Sequence, residues 1–196
     1  MKIIELVLDD NEESGIEAIS IVESPAIESD FIALKSDTVK LAEVNKEKKI
    51  LMGALLIPNK PIYRKTEGDE YYIYFSKETV LKASQRYLIN GYQSNSTLEH
   101  SSNLKGLTLV ESWLVEDEVH DKSRKYGMDV PLGTWMGTVK VDNEEVWNTY
   151  IKTGAVNGFS IEGFFADKIE ASKLSKEEKK SDELLNKIKN ILDAGN

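Results

Sequence analysis

The chain contains no cysteine and only two histidines among its 196 residues. Without thiols it can form no disulfide, no thiolate nucleophile, no zinc knuckle and no iron–sulfur ligand set. The absence also fits a reducing compartment. Cationic side chains are the minority, 25 Lys and Arg against 34 Asp and Glu, for a net charge of −9. No Lys/Arg-rich run with interleaved aromatics interrupts that acidity, so the cationic footprint of a nucleic-acid binder is missing. No segment approaches the roughly 20 consecutive apolar residues that cross a bilayer. The opening Met1-Lys2-Ile3-Ile4-Glu5 reaches an acidic residue too early for a signal peptide. These absences together predict a soluble intracellular protein that binds neither nucleic acid nor membrane.

What is present is sufficient for a core. Hydrophobic residues make up 40% of the chain, and its length suits one principal domain. Residues 1–45 read as a small N-terminal unit with its linker. Lys2 to Leu8 and Ile16 to Val22 are strand candidates, Ser24-Pro25-Ala26 breaks the pattern, and Phe31 to Leu34 is a short apolar run. The polar stretch from Lys35 to Lys48 is a linker, accessible enough for self-cleavage.

Residues 46–167 form the main domain. Lys49 to Ile57 is its first strongly apolar strand. Pro58 and Pro61 flank a turn before Ile62, and a second turn at Glu67-Gly68-Asp69-Glu70 leads into Tyr71 to Phe75. A helix follows, capped by Ser76 and stopped by Gly91, with Val80, Leu81, Tyr87 and Leu88 as its expected apolar face. Leu107 to Val115, Thr134 to Val141 and Gly158 to Phe165 are further strands. A second helix opens at the capping box Asp142-Asn143-Glu144-Glu145. Residues 168–196 shift to Lys and Glu, with a narrow stripe from Leu184 to Leu192 that predicts a charged amphipathic helical tail. Many strands with two helices between Lys46 and Asp167 predict an α+β, mainly β domain with a closed or strongly curved sheet.

Amide hydrolysis without metal or thiol needs a hydroxyl nucleophile, a base for its proton and a group that orients the base. Imidazole is the natural base near neutral pH. His100 stands beside small residues in Thr97-Leu98-Glu99-His100-Ser101-Ser102. His120 sits in a charged loop with no second imidazole at ligand spacing, so no metal site or cofactor is expected. Ser160 lies between Gly158 and Gly163, whose small size permits close backbone approach. Its strand places Ser160 and Glu162 on one side and Phe159, Ile161 and Phe165 on the other. The glycine spacing is not that of the G-x-S-x-G elbow, which disfavours an α/β-hydrolase.

The segment Glu111-Ser112-Trp113-Leu114-Val115-Glu116-Asp117 resembles the XkdF-like branch of the phage prohead proteases. So do Asp121-Lys122-Ser123, Gly133-Thr134-Trp135, Val146-Trp147, and Gly154 through Gly163, within a resemblance that covers roughly residues 15–166. Such proteins are similar to herpesvirus assemblins, which implies a closed β-barrel surrounded by helices. The resemblance also implies a serine endopeptidase that cleaves scaffold and major capsid precursors, and often itself, inside the assembling prohead in the host cytoplasm. The tail helix is a candidate docking or oligomerisation element, and a homodimer is a candidate assembly. His100 occupies the place of the family's base and Ser160 that of its nucleophile. Glu111, on the strand after His100, is the first choice for the third member. Glu162, two residues from Ser160 on the same face, is its rival, and Asp117 and Asp121 are further candidates. The competing expectation is a non-catalytic capsid-assembly or scaffold-binding protein that keeps the protease fold and works through its tail helix.

Overall fold

The computed structural model describes residues 2–8, 14–26, 32–34, 48–66 and 68–168. The expected tail helix beyond Lys168, and the linker short of Lys48, lie outside the described residues.

The chain opens with β1 (Lys2–Val7), β2 (Gly15–Val22) and β3 (Ile32–Leu34). Then come β4 (Ile50–Leu56), β5 (Ile62–Thr66), β6 (Asp69–Phe75), the helix α1 (Lys77–Ile89) and a 3-10 turn at Tyr92–Ser94. The short strands β7 (Ser96–Leu98) and β8 (Ser102–Leu104) precede β9 (Leu107–Leu114) and a single helical turn, α2 (Lys122–Lys125). Last are β10 (Trp135–Val141), α3 (Glu144–Val146), which runs into a π-helical turn at Trp147–Ile151, and the strands β11 (Gly158–Phe164) and β12 (Ala166–Asp167).

The strands form three four-stranded sheets, ordered β12-β1-β6-β5, β3-β4-β10-β9 and β11-β2-β7-β8. Pairing is antiparallel except for β1 with β6 and β2 with β7. Among the described residues no sheet closes on itself. The expected barrel ringed by helices is therefore corrected to three open sheets with few, mostly short helices. Closure needs a hydrogen-bond register that runs on from edge to edge with a steady stagger. Among the described residues the edge strands β12, β5, β3, β9, β11 and β8 pair with no strand of another sheet. Between sheets, packing replaces pairing. Ser94 Oγ and Thr108 Oγ1 meet at 3.0 Å and join the turn before β7 to β9. The inner faces share one buried cluster, including Ile19 of β2, Leu55 of β4, Tyr87 of α1, Trp135 of β10 and Phe159 of β11.

Helix α1 is capped as its sequence requires, with the Ser76 hydroxyl accepting the Thr79 N–H at 3.4 Å. Gly91 takes a left-handed φ of 75° just past its end, a conformation that costs glycine little. Its buried side is Val80, Ala83, Ser84 and Tyr87, the i, i+3, i+4, i+7 stripe. Leu81 and Leu88 remain 39% and 37% exposed, so the apolar face expected from them is corrected. Each follows a buried residue by one step, which at 3.6 residues per turn rotates it about 100° off the stripe. The second helix is shorter than its sequence pattern suggests, and Asn143, not Asp142, caps it by accepting the Val146 N–H at 3.0 Å.

Two contacts seat β2 and β11. Arg86 of α1 donates to the Ser14 carbonyl at 2.8 Å, at the head of β2. At the register shift in β11, Gly163 lies so close to β2 that a Cβ on it would stand 2.0 Å from the Gly15 carbonyl oxygen. That neighbour is backbone and cannot swing aside. Gly163→Ala is expected to lower stability by about 3 kcal/mol, the upper part of the range for overpacking. Urea unfolding checks this, and an unchanged midpoint would contradict the tight approach.

Candidate active site

β2 is an inner strand of its sheet, with β11 on one side and β7 on the other. In register, Ser160 of β11 stands opposite Ser20 of β2, and Ser20 stands opposite Thr97 of β7. Directly opposed residues share a face, so three hydroxyl side chains form a row across three strands. All three residues are buried, Ser20 completely and Ser160 to 9% exposure. Among the described residues the Ser160 hydroxyl has no hydrogen-bond partner, and it is the member of the row left uncommitted.

His100 arrives through the loop joining β7 to β8. Leu98 pairs with Ser102, so Glu99, His100 and Ser101 make the whole connection. Such a tight turn forces Glu99 and His100 into left-handed φ values of 48° and 56°. For residues other than glycine this conformation is strained and persists only where neighbours over-determine it. Four hydrogen bonds do so. The His100 N–H donates to the Ser20 hydroxyl at 3.1 Å, and the Glu23 N–H to the Glu99 carboxylate at 2.6 Å. The Glu99 N–H donates to the Ile21 carbonyl at 3.1 Å, and the Ser101 N–H to the Leu98 carbonyl at 3.0 Å. The buried hydroxyl opposite Ser160 thus anchors the backbone of the histidine.

Glu162 completes the group. It lies two residues beyond Ser160 on the same face of β11, and its cross-strand partner is Ala18. With only a methyl group on β2 beneath it, the glutamate side chain can lie over the middle strand and reach β7. There its Oε1 accepts a hydrogen bond from Thr97 Oγ1 and stands 3.2 Å from His100 Nδ1. A carboxylate on Nδ1 favours the tautomer with its proton there, leaving a lone pair on Nε2 that can take a proton from a hydroxyl.

The other carboxylates named from the sequence are engaged elsewhere. Glu111 sits in a different sheet, on β9, where its carboxylate receives Lys122 Nζ at 2.5 Å. That hydrogen bond holds its pKa below the usual glutamate value. Asp117 caps its own loop by accepting the Val119 and His120 N–H groups at 2.7 and 2.8 Å. The backbone N–H of His120, then that of Val119, draws its pKa down. Asp121 caps α2, accepting the Ser123 N–H at 2.8 Å and the Trp113 indole N–H at 3.3 Å. Burial pushes its pKa up, but the hydrogen bonds from Ser123 and Trp113 outweigh that and leave it lowered. The His120 ring stands 3.3 Å from Asp117 and is exposed. Among the described residues no three His, Asp or Glu side chains gather as a metal site. The carboxylate brought to His100 is therefore Glu162 and not Glu111.

Sequence reasoning passed over Ser20, Thr97 and Glu99. One signal was available, since Ser20 is a polar residue between Ile19 and Ile21 on an otherwise apolar strand and so faces away from them. Nothing in the chain reveals that Thr97 becomes its neighbour, because that pairing spans 77 positions.

A buried serine, and an imidazole 3.2 Å from a carboxylate two residues along the serine's own strand, are the residue types that a serine hydrolase uses. A family model described as "Putative phage serine protease XkdF" matches residues 38–170. The chain belongs to this family of phage serine proteases. No curated protein and no solved structure matches it.

Ser20→Ala removes the acceptor of the partly buried His100 N–H, a loss of about 1 kcal/mol, and frees the left-handed turn. Hydrogen exchange at the His100 amide is expected to accelerate markedly, while amides of β10 keep their protection. Unchanged exchange at His100 would show that the turn does not depend on Ser20.

Proposed function

We propose that this phage serine protease is a prohead-maturation endopeptidase, cleaving scaffold and major capsid precursors during head assembly in the host cytoplasm. Ser160 is the nucleophile, His100 the general base and Glu162 the group that orients the base. The observation that carries the reading is the 3.2 Å approach of Glu162 to His100 Nδ1 from the same strand face that bears Ser160.

The chemistry follows from that arrangement. Ser160 Oγ attacks the scissile carbonyl carbon as its proton passes to His100 Nε2. The imidazolium so formed is stabilised by Glu162 across Nδ1. Collapse of the tetrahedral intermediate breaks the C–N bond, and the proton on Nε2 leaves with the amine. Water then attacks the acyl-serine, giving its proton to the same nitrogen, and the carboxylic acid departs as Ser160 regains its hydrogen. Burial of Ser160 keeps bulk water from competing until a peptide occupies the site.

In assembled particles a fluorophosphonate is expected to label Ser160, and Ser160→Ala to abolish both labelling and precursor cleavage. Glu162→Gln is expected to slow cleavage by about 10²–10⁴-fold, the range for losing a general-base function, whereas Glu111→Gln leaves the rate unchanged. Processing that survives Ser160→Ala would favour the non-catalytic assembly role instead.

A further inference from the structure

The hairpin of β7 and β8 carries more than the histidine. Thr97 lies on β7 three positions before His100, buried and opposite Ser20 of β2. Its Oγ1 donates to Glu162 Oε1, the same carboxylate oxygen that stands 3.2 Å from His100 Nδ1. The Thr97 carbonyl accepts from the Ser20 hydroxyl at 3.4 Å, and that hydroxyl also receives the His100 N–H at 3.1 Å. Donor, carboxylate and imidazole thus belong to one closed circuit of contacts across β11, β2 and β7.

The circuit offsets a weakness of glutamate. A carboxylate at the end of a long side chain loses rotamer freedom when it is fixed in one place. The Glu162 side chain is also 30% exposed, so water competes with the imidazole for its oxygens. Threonine is suited to hold it. Its hydroxyl sits on a branched Cβ with few χ1 rotamers open to it, so the strand register fixes where the oxygen stands. That hydroxyl has a single O–H to donate, and Glu162 receives it. We propose that Thr97 is a positioning residue, whose hydroxyl holds the Glu162 carboxylate against His100 Nδ1 and so orients the ring before a peptide arrives. Thr97 acts on the reaction through Glu162, not by contact with the reacting atoms. The role rests on His100 being the base and Ser160 the nucleophile.

The test uses the full chain in assembled particles and the rate at which a fluorophosphonate labels Ser160. Thr97→Val keeps the shape and removes the hydroxyl. It is expected to slow labelling by roughly 10- to 100-fold, as a displacement of about 1 Å in a reacting group can. Thr97→Ser restores most of that rate, because the donor returns. In the Glu162→Gln background Thr97→Val costs nothing further, since the two side chains act as one unit. Thr97→Ala is the second hydroxyl-free variant, read in the same way if Thr97→Val does not fold. A rate in Thr97→Val equal to that of the unaltered chain, or a slowing that adds in full to that of Glu162→Gln, overturns the positioning role and leaves the nucleophile standing. Absence of labelling in the unaltered chain removes the nucleophile instead. Nitrogen-15 signals of the His100 ring need no reactive serine and decide the contact separately. The preference for a proton on Nδ1 is expected to weaken in Thr97→Val and return in Thr97→Ser, and a preference unchanged in Thr97→Val overturns the proposal.

Discussion

The candidate site depends on the backbone pairing of β11, β2 and β7. That ladder converts Ser160, Ser20 and Thr97, far apart in the chain, into neighbours on one sheet face. A slip of one residue between β11 and β2 would turn Ser160 and Glu162 into the core and bring Phe159 and Ile161 to the surface. The apolar alternation on both strands guards against it, since Ile19, Ile21 and Phe159 are all buried on the opposite side. Core packing on one face therefore sets the register of the chemistry on the other. The crowded approach of Gly163 to Gly15 lies one residue beyond Glu162, near the end of a pairing that runs from Gly158 opposite Val22 to Phe164 opposite Gly15.

Within that frame small side chains matter as much as reactive ones. Ala18 clears the path over which Glu162 reaches His100, and the compact Ser20 fits a completely buried position while still holding the His100 amide. The strain of a left-handed histidine is offset by hydrogen bonds from β2 and from the Glu23 backbone beyond it. The N-terminal strands are thus structural partners of the site, although the family match begins only at residue 38.

Much of the architecture could be read from local pattern. Long apolar strands such as Ile50–Leu56 and Leu107–Leu114, and the capped helix Lys77–Ile89, declare themselves through composition, alternation and capping chemistry. β7 and β8, at three residues each, are too short to show a period. Sheet closure is not legible in the sequence, because it depends on which edge strands meet, a long-range property that no single strand encodes. At the site, Ser160 and His100 could be singled out by residue chemistry and by resemblance. The choice among Glu111, Glu162, Asp117 and Asp121 could not, because it turns on strand order. Glu111 follows His100 closely in the chain, yet its strand belongs to another sheet and its carboxylate to Lys122.

The central claim is that Glu162 orients His100 as a base, and nitrogen-15 NMR of the imidazole reads it most directly. In its neutral form the His100 ring is expected to carry its proton on Nδ1 and to leave Nε2 unprotonated, with that preference lost in Glu162→Gln and kept in Glu111→Gln. A ring that carries its proton on Nε2, or one indifferent to Glu162→Gln, would contradict it.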